Sequence, residues 1–192
     1  CHGAARSYTP AYVMRDAEET TEFYSRVLGL RLVEFVIDDK VPSTGDAFPY
    51  VHLFFELGDG SSVAFFEAVG LPPPSSPSHP AYQVFNHLAL DVGTKENVDQ
   101  WIRHLQAEGV DFVGPVDHSV IYSVYFYDPN GIRLELTANT NWRPEPVQAQ
   151  ENLTLWKQAK LVSFQLGGDP APLLQLIQER RALHKLPVVK ET

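Results

Sequence analysis

The sequence predicts an α+β fold: two pseudo-repeated β-α-β-β-β modules forming a curved sheet around a central cavity, followed by a C-terminal helical extension. Three observations predict it. Helix caps recur, because Asp16 and Thr94 each precede an apolar-periodic run and lie 78 residues apart, as do Phe23 and Trp101. Each cap follows one alternating stretch and precedes several more. Between the copies, Leu71–Ala81 reads L-P-P-P-S-S-P-S-H-P-A, a composition suited to a linker. One helix per module leaves a sheet face uncovered, so two modules sharing a cavity satisfy the packing better than either alone. The expected divisions are 8–70 and 85–138 for the modules, 71–84 for the linker and 139–192 for the extension.

Tyr8–Arg15 reads as a strand, with Pro10 placing it at an edge or an early position. Asp16 and Glu19 resemble a capping box, and Phe23, Tyr24, Val27 and Leu28 fall on one helical face before Gly29. Leu30–Ile37 is a strand, Asp38–Pro49 a polar loop, and Tyr50–Leu57 with Ser62–Ala68 a hairpin around Gly58-Asp59-Gly60. In the second copy, Phe85–Val92 is a strand. Thr94 caps a helix with Val98, Trp101, Ile102 and Leu105 on one face, and Val110–Val113 is a short strand. Asp128-Pro129-Asn130-Gly131 is a turn signal joining strands Ile121–Tyr127 and Ile132–Thr137. Beyond a loop over Asn139–Val147, Glu151–Leu161 and Ala171–Leu186 are helical, expected to pack outside the sheet or on a second subunit.

Composition narrows the function. A net charge of −9 without a basic run argues against nucleic acid as a partner. The single cysteine excludes an internal disulfide, and no apolar run reaches the ~18 residues of a membrane span. Neither a G-x-S-x-G motif nor a phosphate-binding glycine loop occurs. A cytoplasmic protein acting on a small molecule is expected, with no membrane partner and with a homodimer allowed. Strand parity then isolates two residues. His87 points opposite Leu88, Leu90 and Val92, while Glu135 points opposite Leu134 and Leu136. A neutral imidazole and a carboxylate on first and last strands suit a divalent metal; a solvated sheet face is the plainer alternative.

The stretch Val116–Glu135, V-D-H-S-V-I-Y-S-V-Y-F-Y-D-P-N-G-I-R-L-E, resembles the signature of extradiol ring-cleavage dioxygenases. These belong to the vicinal-oxygen-chelate superfamily, with glyoxalase I and bleomycin-resistance proteins. Val116, His118, Val124, Tyr125, Asp128, Pro129, Gly131 and Glu135 fit its positions, and the resemblance covers about Tyr8 to Thr137. It implies paired modules around a metal, Fe(II) or Mn(II) favoured, with no organic cofactor. It implies His87 and Glu135 as ligands, His118 as acid/base and Tyr125 as hydrogen-bond donor to substrate. The family's third ligand, usually His or Gln, lies seven residues before the capping Asp, and that position is Thr9, a weak donor. His2, His52, water or substrate could fill the gap. Phe65 aligns where glyoxalase I carries a first Glu, and Glu67 lies nearby out of register.

The expected function is therefore a metal-dependent enzyme on a small aromatic or apolar substrate, most like an extradiol dioxygenase using O₂. The alternatives are a glyoxalase-like isomerase or lyase with the metal as Lewis acid, and a metal-free binding protein of the bleomycin-resistance kind.

Overall fold

A computed structural model of the protein describes residues 9–70 and 81–184. His2, most of the Leu71–Ala81 linker and Leu186 lie outside the described residues. The first module comprises β1 (Ala11–Val13), α1 (Ala17–Glu22) continuing into a π-helical segment (Phe23–Val27), β2 (Arg31–Lys40), β3 (Ala47–Glu56) and β4 (Ser62–Ala68). Asp16 caps α1 as expected, its carboxylate accepting from the Glu19 N–H. The sheet runs β1-β4-β3-β2, with β1 parallel to β4 and the remaining pairs antiparallel. The polar loop expected over Asp38–Pro49 is shorter, because β2 and β3 continue pairing out to Lys40 and Ala47.

The second module repeats this order. A short helix α2 (Ala81–Phe85) precedes β5 (His87–Asp91), where one longer strand from Phe85 was expected. Then follow α3 (Lys95–Ala107), β6 (Phe112–Asp117), β7 (Ile121–Tyr127) and β8 (Arg133–Asn139), with sheet order β5-β8-β7-β6. The Thr94 hydroxyl caps α3 through the Asn97 N–H. Helix-facing side chains form one core across both modules: Tyr24, Leu53, Phe55 and Phe65 from the first, Val98, Leu105, Phe126 and Leu134 from the second. Each such fully buried side chain stabilises the fold by about 1.5–3 kcal/mol relative to exposure.

Polar contacts fasten the modules together. Tyr24 Oη donates to the buried Asp128 carboxylate at 3.1 Å, the Arg15 N–H donates to Asn130 Oδ1, and His104 Nε2 meets the Val27 carbonyl at 2.8 Å. Asp128 also accepts from the Asn130 and Ile132 N–H groups. Its carboxyl is pushed up chiefly by burial, against the pull of those hydrogen bonds. The site-bearing β7–β8 turn is thus anchored from the first module's helix.

The extension forms two helices, α4 (Pro146–Gln165) and α5 (Ala171–His184), which pack chiefly on one another. Neither helix contacts any strand as extensively as it contacts the other helix. Trp156, Leu161, Phe164, Leu174 and Ile177 stay exposed, Phe164 at 82%.

Candidate metal centre

In sheet two, alternation sends Leu88, Leu90, Leu134 and Leu136 toward α3 and the core, so His87 and Glu135 emerge on the opposite, open face. The parallel β5–β8 register puts His87 beside Arg133 and Ala89 beside Glu135. His87 Nε2 lies 2.9 Å from Glu135 Oε2. His87 Nδ1 is 2.9 Å from the Phe85 carbonyl, which can only accept, so the ring carries its N–H at Nδ1. Nε2 of a neutral ring is then a lone pair facing a carboxylate oxygen. Such a contact requires a positive centre between them, either a proton on Nε2 or a metal cation. A backbone carbonyl holding the remote ring nitrogen is also the usual support of a metal-ligating histidine. The donor set fits a divalent cation.

Glu135 is only 3% exposed despite facing away from the core. Its other oxygen, Oε1, accepts from Ser123 Oγ at 2.6 Å and from Tyr125 Oη at 2.9 Å. Ser123 Oγ is also 2.9 Å from Thr137 Oγ1. A buried carboxylate needs such donors to offset lost hydration. Tyr125 Oη in turn lies 2.9 Å from His118 Nε2, which donates to it in the Nε2–H tautomer. Burial first, then the hydrogen bond and charge of Glu135, push the Tyr125 phenol up to about 12, so it is a neutral donor at pH 7. His118, Tyr125, Glu135 and His87 therefore form one continuous chain of polar contacts, each 2.9 Å long.

Thr9 is not in that chain. It lies on the corresponding open face of sheet one, its Oγ1 3.0 Å from Ser62 Oγ. Among the described residues no third His, Cys, Asp or Glu joins His87 and Glu135. His52 does not join them either. It sits on sheet one with its ring stacked on Phe66 (centroids 3.6 Å apart) and tilted against Phe54 (4.1 Å). Its Nε2 is buried without a partner, and burial holds the imidazole below its usual range, Glu34 opposing.

One alignment is corrected. Phe65 pairs with Tyr12 and is buried against Tyr24, on the helix side. Ala64, opposite Ala11 and Phe54, occupies the place that Glu135 takes opposite Ala89 and Tyr125. Glu67 faces the helix and accepts from the Ala17 N–H. Two residues were missed in the sequence. Ser123 is signalled by β7–β8 pairing, which sets a small hydroxyl diagonally from the carboxylate. Arg133 is signalled only by sharing Glu135's parity.

Comparison with known proteins follows this geometry. A family model described as the glyoxalase/bleomycin resistance protein/dioxygenase superfamily matches residues 9–136. A Bacillus subtilis (strain 168) protein named "Putative ring-cleaving dioxygenase MhqA" is 29% identical over 127 residues, covering 65% of this chain and 37% of that protein. The chain thus spans little more than a third of that relative's length. A glyoxylase/bleomycin resistance protein/dioxygenase domain from Frankia sp. EAN1pec superposes with TM-score 0.56 at 17% identity, covering 73% of this chain and 99% of that one. A glyoxalase/dioxygenase from Nostoc punctiforme gives 0.53 at 24%, covering 71% and 92%. A mutant of the fosfomycin resistance protein FosX from Listeria monocytogenes, complexed with Mn(II) and 1S,2S-dihydroxypropylphosphonic acid, gives 0.51 at 20%, covering 71% and 94%. These structures share the α+β fold of two four-stranded sheets.

Proposed function

The chain belongs to the glyoxalase/bleomycin resistance protein/dioxygenase superfamily, and from that premise we propose that it is a divalent-metal-dependent enzyme acting on a small organic molecule. His87 and Glu135 are the protein ligands, and His118 with Tyr125 handles protons and substrate oxygen. The carrying observation is the 2.9 Å contact between His87 Nε2 and Glu135 Oε2, with both groups held from behind. Mixed imidazole and carboxylate donors favour Fe(II) or Mn(II). When bound, the cation supplies a Lewis acid with open positions for vicinal oxygen atoms.

The chain's own residues do the rest. Ser123 fixes Glu135 so that Oε2 remains directed at His87. Tyr125, neutral and anchored to Glu135, offers its hydroxyl beside any oxygen bound there. His118, in contact with Tyr125 Oη, holds or moves a proton at Nε2. The reaction we favour is extradiol-type ring cleavage with O₂, supported by the His118–Tyr125–Glu135 arrangement and by the name of the Bacillus relative. A second reading, an isomerase or lyase using the metal purely as Lewis acid, is favoured by the Mn(II)-bound FosX of similar fold.

Elemental analysis of protein purified without chelator tests the metal, with about one equivalent of iron or manganese expected in wild type and none in Glu135→Gln. A metal-free wild type that cannot be loaded would make the protein a binder rather than an enzyme. Oxygen uptake with catechols then separates the two reactions.

A further inference from the structure

Arg133 stands on the open face of sheet two, directly across from His87 and two residues from Glu135. The chain carries 24 acidic residues against 15 lysines and arginines, and among the described residues Arg26, Arg31 and Lys95 are held by carboxylates on exposed surface. Arg133, half-buried, has no carboxylate partner among the described residues. One N–H of its guanidinium donates to the Val84 carbonyl, and the group lies 4.3 Å from the centroid of the Tyr125 ring. Stacking on that ring and bonding to a backbone carbonyl fix the side chain in advance. Of its five N–H donors, four have no protein acceptor among the described residues.

We propose that Arg133 is the anion-reading residue of this site, and that the substrate carries a carboxylate separate from its vicinal oxygen pair. The inference rests on the metal-site reading above. With a divalent cation between a neutral His87 and an ionised Glu135, the centre keeps one positive charge, and Arg133 adds a second beside it. A neutral substrate leaves the guanidinium without a counter-ion; a ligand bearing a carboxylate neutralises it through a fork of parallel N–H bonds. Spacing gives the shape of the substrate. Same-face residues two apart on a strand are separated by ~7 Å. That is about the distance from the oxygen pair of an aromatic diol across the ring to a carboxylate on its far side. The substrate class is therefore an aromatic vicinal diol acid, rather than an unsubstituted or alkyl-substituted diol.

The test titrates protocatechuate and catechol, which differ by that carboxylate, into Mn(II)-loaded and metal-free protein by calorimetry. Wild type, Arg133→Gln and Arg133→Lys are compared, and bound manganese is measured in parallel. Protocatechuate is expected to bind Mn(II)-loaded wild type tighter than catechol by about tenfold or more. Arg133→Gln should erase the difference without loss of manganese, and Arg133→Lys should keep part of it. A merely structural Arg133 would shift both ligands together and leave their ratio unchanged. Equal affinities in wild type, a preference surviving Arg133→Gln, or no saturable protocatechuate binding overturns the proposal. Failure of wild type to take up manganese, by contrast, overturns the metal reading, whatever the metal-free protein does with the two ligands.

Discussion

The two open sheet faces have the same backbone plan and opposite chemistry. Where sheet two has His87, Glu135, Tyr125, Ser123 and Thr137, sheet one has Thr9, Ala64, Phe54, His52 and Phe66 at the matching pairings. Every residue that binds, orients or supports a carboxylate on one side is exchanged for a small, aromatic or stacked group on the other. The helix-facing rows do not diverge this way: Phe55 and Phe65 answer Phe126 and Leu136 as buried apolar residues. A repeated scaffold thus keeps its core and varies its exposed rows independently, because alternate residues of a strand belong to different faces.

The largest expected break in this comparison is kinetic. His118→Ala and Tyr125→Phe should each lower turnover by roughly 10²–10⁴-fold with metal still bound, as loss of positioned proton transfer does. His52→Ala on the opposite face should leave turnover within about twofold if only sheet two does chemistry, so steady-state rates for all three variants decide the point. Next in size is the tie between modules. Asp128→Ala leaves the Tyr24 hydroxyl and the Asn130 and Ile132 N–H groups without their acceptor, which should cost about 3 kcal/mol in urea unfolding. Asp128→Asn, which keeps an acceptor and removes a buried charge, should cost far less. Equal losses would show that the charge, not the acceptor, matters.

Sheet one can also be given the ligands proposed for sheet two. Thr9→His with Ala64→Glu rebuilds the His–Glu pair, and a second manganese equivalent should appear in equilibrium dialysis. Its affinity should be roughly 10–100-fold weaker, since Phe54 and His52 supply no hydroxyl to hold the new carboxylate. A folded double variant that gains no metal would show that the matched positions are not chemically equivalent. The smallest effect concerns His52. Its buried Nε2 has no partner, so His52→Phe should stabilise the fold by about 1 kcal/mol. Because burial lowers its folded pKa below 6.5, the unfolded chain takes up the proton first, and stability at this position falls as pH drops below 6.5. The variant should lose that part of the acid sensitivity in melts at pH 5 and pH 7.

Much of this was legible from local signals. The D-P-N-G turn located the β7–β8 hairpin, Asp16 and Thr94 located the helix starts, and parity separated His87 and Glu135 from their leucine neighbours. What failed depended on counting through irregular structure. Thr9 and His87 are 78 residues apart, whereas Ala64 and Glu135 are 71 apart. The β2–β3 hairpin of the first module is longer than its β6–β7 counterpart and shifts register between Leu32 and Glu34. No single offset therefore serves both strands, and the one-residue slip from Ala64 to Phe65 exchanges a side chain of the open face for one of the core. The cap-based offset holds at Thr9, which takes in sheet one the place that His87 takes in sheet two. Helix α2 offered no periodic signal, being only five residues long.

The α4–α5 pair has a consequence for how the molecule comes apart. Its helices bury little beyond each other, while both modules share one core. Two bodies with so few contacts between them have little reason to melt together. Amides of α4 and α5 should exchange through a low-energy opening that leaves those of β7, β8 and α3 protected, and denaturation followed by different probes should not superimpose. A single midpoint measured on this chain would average two transitions, and substitutions between α4 and α5 would move only the one that opens this pair.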